Sequence, residues 1–231
     1  MLFNYYFDPT YVLVIIGFIF TMIAQFGVTS TFNKYRDVHN RYGLTGAEAA
    51  RRILDANGLS NVQIARVSGN LTDNFNPSTN VVSLSDSTFN STSVAAVGVA
   101  AHECGHAVQY QQGYTPIRIR NGIFPIVNIG SKFAMPLFIL GLILGLGNLA
   151  MVGAVLFGLV LIFQIITLPV EFNASRRALS TLDGMNMLDS DELKGARAVL
   201  KAAAMTYVAA AASTFLQFLR LVMIANNRRR D

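Results

Sequence analysis

Residues 133–170 read FAMPLFILGLILGLGNLAMVGAVLFGLVLIFQIITLPV, and none of them carries a charge. As a helix this stretch would run about 57 Å at 1.5 Å per residue. That is enough for two crossings of a hydrocarbon core roughly 30 Å thick. The Gly145-Leu146-Gly147-Asn148 run supplies a tight turn near its middle, so the stretch predicts a membrane-spanning helical hairpin. Pro125 and Pro136 fall at its entry, where membrane helices tolerate a kink.

Outward from the hairpin, a second charge-free stretch lies between Asp8 and Lys34, and its Tyr11–Val28 part is long enough to span. No basic residue precedes it and no small-x-small cleavage site clearly follows it, so it predicts an anchor rather than a cleaved signal. Lys34, Arg36, Arg41, Arg51, Arg52, Arg118, Arg120 and Lys132 lie between this span and the hairpin. Arg176, Arg177, Lys194, Arg197 and Lys201 follow it. The positive-inside rule then puts both groups in the cytoplasm and the N-terminus outside. Residues 202–219 are uncharged, but they are Ala-rich and interrupted by Thr206, Tyr207, Ser213, Thr214 and Gln217. A fourth span there would strand Arg220 and Arg228-Arg229-Arg230 outside. The segment is therefore expected to pack as a helix on the soluble part, with a fourth span over 202–225 as the other reading.

The composition agrees. The chain has 231 residues, 52% hydrophobic and only 13% charged, with a mean hydropathy of +0.43. Soluble domains carry about 25% charged residues. The net charge of +5 is explained by basic residues flanking apolar segments, so nucleic acid is not an expected partner. The single cysteine rules out an intramolecular disulfide.

Three histidines occur, and two stand in His102-Glu103-Cys104-Gly105-His106. Val94 to Ala101 leads into this H-E-x-x-H without a helix breaker, Asn90, Ser91, Thr92 and Ser93 offer N-caps, and Gly113 and Pro116 stop the helix. Residues four apart share a helix face, so both imidazoles can hold one zinc ion, and Glu103 can take a proton from a water that the metal activates. Cys104 points off that face and reads as a small apolar filler. Catalytic zinc usually takes three protein ligands and a water. By spacing alone the third ligand is open: Glu171 is the first charge after the hairpin, His39 sits in a charged stretch beside the first span, and Asp73 is a further acidic candidate.

Around the motif the soluble part reads as α+β. Thr45-Gly46-Ala47-Glu48 is a capping box opening a helix that Asn57-Gly58 ends. Residues 62–67 alternate as a strand, Ser68-Gly69-Asn70 and 76–80 are turns, and Val81-Val82-Ser83-Leu84 is a second short strand. That second strand could be an edge for an extended substrate. The sequons at Asn70, Asn90 and Asn173 are read as chance on a cytoplasmic face.

Four segments together carry a resemblance: Leu44-Thr45-Gly46-Ala47-Glu48, Leu71-Thr72-Asp73, the run from Ala95 to Glu103, and Leu168-Pro169-Val170-Glu171-Phe172-Asn173-Ala174-Ser175-Arg176-Arg177-Ala178. They resemble the YugP-type bacterial membrane zinc metallopeptidases over nearly the whole chain, and more distantly the HtpX and CAAX-prenyl-protease gluzincins. In the distant group a hairpin separates H-E-x-x-H from an E-x-x-A-D helix whose Glu is the third ligand. The resemblance implies His102, His106 and Glu171 as ligands of one Zn²⁺ per chain, with Glu103 as the catalytic base. Ser175 stands at the Asp position, where Asn173 or Arg176 could substitute. Tyr207, Arg176 and Arg177 are the oxyanion candidates.

The expectation is thus a mainly α membrane protein of three transmembrane helices, a fourth being the alternative, with a small α+β gluzincin-like domain on the cytoplasmic face. Its parts would be an N-terminal anchor (1–33), a peptidase part with the motif helix (34–121), the hairpin (122–170) and a C-terminal peptidase part (171–231). It would act in the bacterial cytoplasmic membrane as a zinc-dependent endopeptidase on peptide or protein substrates, membrane proteins among them. The rival readings are a non-catalytic zinc-binding partner protein, which would not need Glu103, and an intramembrane protease, against which the polar flanks of the motif helix argue. Oligomeric state and substrate are not legible.

Overall fold

The computed structural model describes residues 8–229; residues 1–7 of the expected anchor, Arg230 and Asp231 lie outside them. The elements are α1 (Tyr11–Arg36), α2 (Gly46–Ala56), β1 (Gln63–Val67), β2 (Asn74–Asn76), β3 (Val81–Ser85), α3 (Val94–Gln111), α4 (Thr115–Ile143), α5 (Gly147–Gly184) and α6 (Ser190–Asn227). The protein is mainly helical with a small sheet, and α1, α4, α5 and α6 are each long and apolar enough to cross a membrane. The chain divides into two units. Of the described residues, 8–24, 119–166 and 206–229 form the first, and 25–118 with 167–205 form the second.

The first unit is an antiparallel helix bundle built on close approach. Gly141 and Gly153 of α4 and α5 lie against Ala150 and Phe138, and Gly17 of α1 lies against Ser213 of α6. Small residues at such crossings let backbones approach closely, which is what holds helices together where burial in lipid gives no drive. The turn falls where expected, with Gly145 at φ +68°. Its two arms draw on the sequence unequally. The uncharged part of the first arm, residues 133–143, would span only about 17 Å. The helix therefore reaches back through Lys132 to Thr115.

Residues 202–219 correct the sequence reading. From Thr206 onward α6 belongs to the first unit with the other long apolar helices, rather than packing throughout on the soluble core. One of the hydroxyls that suggested a polar buried face, that of Ser213, does meet a neighbour, but it is Gly17 of α1. Asp8 pairs with Arg220 at 3.7 Å, and Arg220 also stacks over the Tyr11 ring at 4.3 Å. Gly147 at the hairpin tip meets Arg228 and Arg229. The C-terminal arginines therefore lie at the hairpin-tip end of the bundle.

The second unit is an α+β fold around α3. The capping box forms as the sequence predicts: the Thr45 hydroxyl accepts from the Glu48 amide at 3.2 Å and Glu48 accepts from the Thr45 amide at 2.9 Å. Ile53 and Leu54 of α2, Val82 and Leu84 of β3, Val97, Ala101 and Cys104 of α3, Leu182 of α5 and Leu200 of α6 make one buried core. The sheet order is β1-β3-β2, with β1 parallel and β2 antiparallel to β3. Val81, Val82, Ser83 and Leu84 are thus not an edge. β3 is the central strand, paired to β1 on one side and β2 on the other, and its Val82 and Leu84 are buried in the core with α2 and α3. The strand hidden from sequence reading is β2, whose Asn-Phe-Asn looks like turn sequence. Phe75 pairs in register with Val82 and packs on the Tyr110 ring at 6.2 Å. Where β2 stops, Asp73 takes over and accepts from the Ser85 amide and hydroxyl, both at 2.8 Å.

Candidate metal centre

α3 begins at Ser93, whose hydroxyl accepts from the Ala96 amide at 3.1 Å. Its Ala, Val and Gly residues bury nearly its whole length, which a helix carries only when neighbours surround it. Two glycines set how close those neighbours come. A Cβ on Gly98 would sit 3.3 Å from the Ala196 side chain of α6, and one on Gly105 would sit 2.8 Å from the Ala174 carbonyl oxygen of α5. The second contact is backbone that cannot turn aside. Gly105→Ala is therefore expected to push α5 off α3, at about 1–3 kcal/mol as overpacking generally costs. It should also lower zinc content, because Glu171 sits one turn before Ala174. Melting temperature and metal analysis of the purified variant check both effects.

That approach brings three side chains together. A carboxylate oxygen (Oε2) of Glu171 lies 3.3 Å from His102 Nε2 and 3.6 Å from His106 Nε2. All three ligand atoms fall within 4.8 Å of one another. Tetrahedral ligands at roughly 2.0–2.1 Å from zinc stand about 3.3 Å apart, so the set fits that ion. The two rings meet edge to face at 4.7 Å. Each ring's other nitrogen is held elsewhere, as metal-binding histidines require. Ser175 Oγ lies 3.1 Å from His102 Nδ1, and Gln109 Oε1 lies 3.0 Å from His106 Nδ1.

The site is deep, with Glu171 2% exposed and Glu103 and His106 each 9%. Burial raises the Glu103 carboxyl above the usual carboxylate range; the two histidines oppose this, while Glu171 and Asp73 add to it. A carboxylate held up in this way is a better proton acceptor near neutral pH. Burial by itself lowers the His106 imidazole, but the Glu171 and Glu103 carboxylates outweigh it and leave it raised. Cys104 is fully buried, with Sγ 3.6 Å from the Ala50 carbonyl, and burial pushes its thiol up. It stays a core thiol and stands outside the ligand cluster.

The remaining candidates fall elsewhere. His39 is exposed and bonds Thr92 Oγ1 at 2.8 Å, and Asp73 is engaged by Ser85, so neither joins the cluster. Arg176 is exposed. The Arg177 guanidinium is committed to Asn173 Oδ1 at 2.7 Å and Gln112 Oε1 at 2.6 Å, with the Tyr114 ring below it. Tyr207 belongs to the first unit, outside the unit that carries the cluster. Gln109 is the residue that sequence reasoning passed over as a mere polar flank. Its signal was its place one turn after His106, on the same helix face.

Comparison with known proteins gives a family and a relative in Bacillus subtilis. A family model described as "Putative neutral zinc metallopeptidase" matches residues 10–226. The chain is similar to the "Putative membrane protease YugP" of Bacillus subtilis (strain 168), with 48% identity over 206 residues, covering 89% of this chain and 92% of that protein. No solved structure matches.

Proposed function

The chain belongs to the neutral zinc metallopeptidase family, and from that premise we propose that it is a membrane-bound, gluzincin-type endopeptidase whose active site faces the cytoplasm. The observation that carries this reading is the convergence of His102, His106 and Glu171 beside a buried Glu103. His102, His106 and Glu171 would hold a single Zn²⁺ per chain. Bound there, zinc supplies Lewis acidity, which lowers the pKa of a water toward about 7 and polarises a carbonyl. Glu103 takes the proton that the water loses and hands it to the leaving amine. Ser175 and Gln109 hold the two rings so that the Nε2 lone pairs stay aimed. The outer edge of β2, at the side of the sheet next to α3, offers unpaired backbone to an extended peptide. Arg176, exposed one residue after Ser175, is the remaining oxyanion candidate in this unit.

The purified protein in detergent, loaded with zinc, should cut an unfolded soluble protein at internal bonds. A chelator should abolish cleavage and added zinc restore it, with the fragments read by mass spectrometry. Release of terminal residues alone would replace endopeptidase with exopeptidase.

The orientation makes its own prediction. If α1, α4, α5 and α6 each cross the membrane, the segments 37–114 and 185–189 share one side and the C-terminal end of α6 lies on the other. The peptidase part, drawn from residues 25–118 and 167–205, would then occupy one side of the membrane and Arg228 the other. Single cysteines placed at Ser68 and Arg228 in a Cys104→Ala background should label from the cytoplasmic and outer faces respectively. Outer labelling at Ser68 would invert the orientation, and labelling of both from one face would remove the fourth crossing.

A further inference from the structure

We propose that Gln109, Asn173 and Arg177 form a directional hydrogen-bond relay that fixes the tautomer and aim of His106, making all three positioning residues for the metal. The proposal rests on the zinc reading above. Gln109 is fully buried on α3, where no water can take the place of a lost partner. Its amide nitrogen donates to the Val170 carbonyl at 2.8 Å and to Asn173 Oδ1 at 2.9 Å, both on α5. Its amide oxygen faces His106 Nδ1 at 3.0 Å.

The chemistry of the ends leaves one sense for the chain. A guanidinium only donates, so the Asn173 atom that meets Arg177 Nε must be the acceptor oxygen. That oxygen also meets Gln109, whose facing atom must then be the donor nitrogen. A backbone carbonyl only accepts, and Val170 independently demands the same nitrogen. Gln109 is thereby left with only its oxygen toward His106. An acceptor there requires the proton on Nδ1, which leaves Nε2 as the nitrogen that would ligate the metal. The Val170 link has a second effect, since Val170 is the residue before Glu171. One buried amide thus ties the helix carrying two ligands to the backbone beside the third.

The test uses the full chain in detergent micelles, both zinc-loaded and in competition with a zinc chelator. Nitrogen-15 spectra of the zinc-loaded parent, which has only three histidines, should show His106 protonated at Nδ1 and unprotonated at Nε2. Gln109→Glu keeps the size but offers only acceptors, setting oxygen against the Val170 and Asn173 oxygens. It should lose that tautomer and bind zinc about 10–100-fold more weakly, the usual cost of losing an outer partner. Asn173→Asp still accepts from both sides and should stay within about threefold of the parent, whereas Asn173→Leu should fall by about tenfold. If Gln109→Glu does not fold, the Asn173 pair decides by itself. Parental zinc affinity in Gln109→Glu, or equal loss in both Asn173 variants, would overturn the relay and leave these side chains as filler. A parent that binds no zinc would overturn the metal reading instead.

Discussion

Glu103→Gln is expected to bind zinc as the parent does and to cleave peptides about 10²–10⁴-fold more slowly, the usual cost of losing a general base. The substitution keeps the shape of the side chain and its capacity to hydrogen-bond. It removes only the ability to take a proton. Glu103 sits beside the three-residue cluster without belonging to it, so metal coordination has no reason to change. Its deep burial makes the charged form costly, and the neutral amide should therefore not destabilise the fold. Zinc content and initial cleavage rates on the same preparation are the paired measurement. Parental cleavage would exclude Glu103 as the base, and lost zinc would make it a ligand.

Glu171→Ala is expected to lose zinc first and activity with it. The carboxylate is the only anionic member of the set and lies 3.3 and 3.6 Å from the two imidazoles. Two neutral histidines alone make a poor structural zinc site, since affinity follows ligand count and charge. Zinc affinity should fall by at least about 10²-fold, more than for any outer partner. Activity in that variant should rise with added zinc, whereas in Glu103→Gln it should not. Full zinc content in Glu171→Ala would place the third ligand elsewhere, with His39 or Asp73 next to test.

The sequence was most legible where one residue pattern has one physical outcome. Charge-free length gave the helices, Gly145 and its neighbours gave the hairpin turn, and the Thr45–Glu48 box gave the start of α2. It was least legible where the outcome depends on a distant partner. Asn74-Phe75-Asn76 is a strand only because β3 lies beside it, and nothing local distinguishes that segment from turn. The hydroxyls of α6 fit a soluble core and a membrane crossing equally well until Gly17 of α1 is seen against Ser213. For the site, helix periodicity aligned His102 with His106, while Glu171 needed family resemblance to stand out from His39. Gln109 required the fold itself, since its partners come from α5, some sixty residues further along the chain.

The division of the ligands between α3 and α5 also orders events in time. A ribosome that has delivered the chain through residue 170 has made both histidines and Glu103, together with the whole of the hairpin. It has not yet made the side chain that completes the cluster. Glu171 arrives on the same continuous helix that starts at the hairpin tip, so the ligand cluster is completed only after that hairpin has been synthesised. A nascent chain at that stage, or a product truncated within the hairpin, would lack Glu171 and with it the complete ligand cluster.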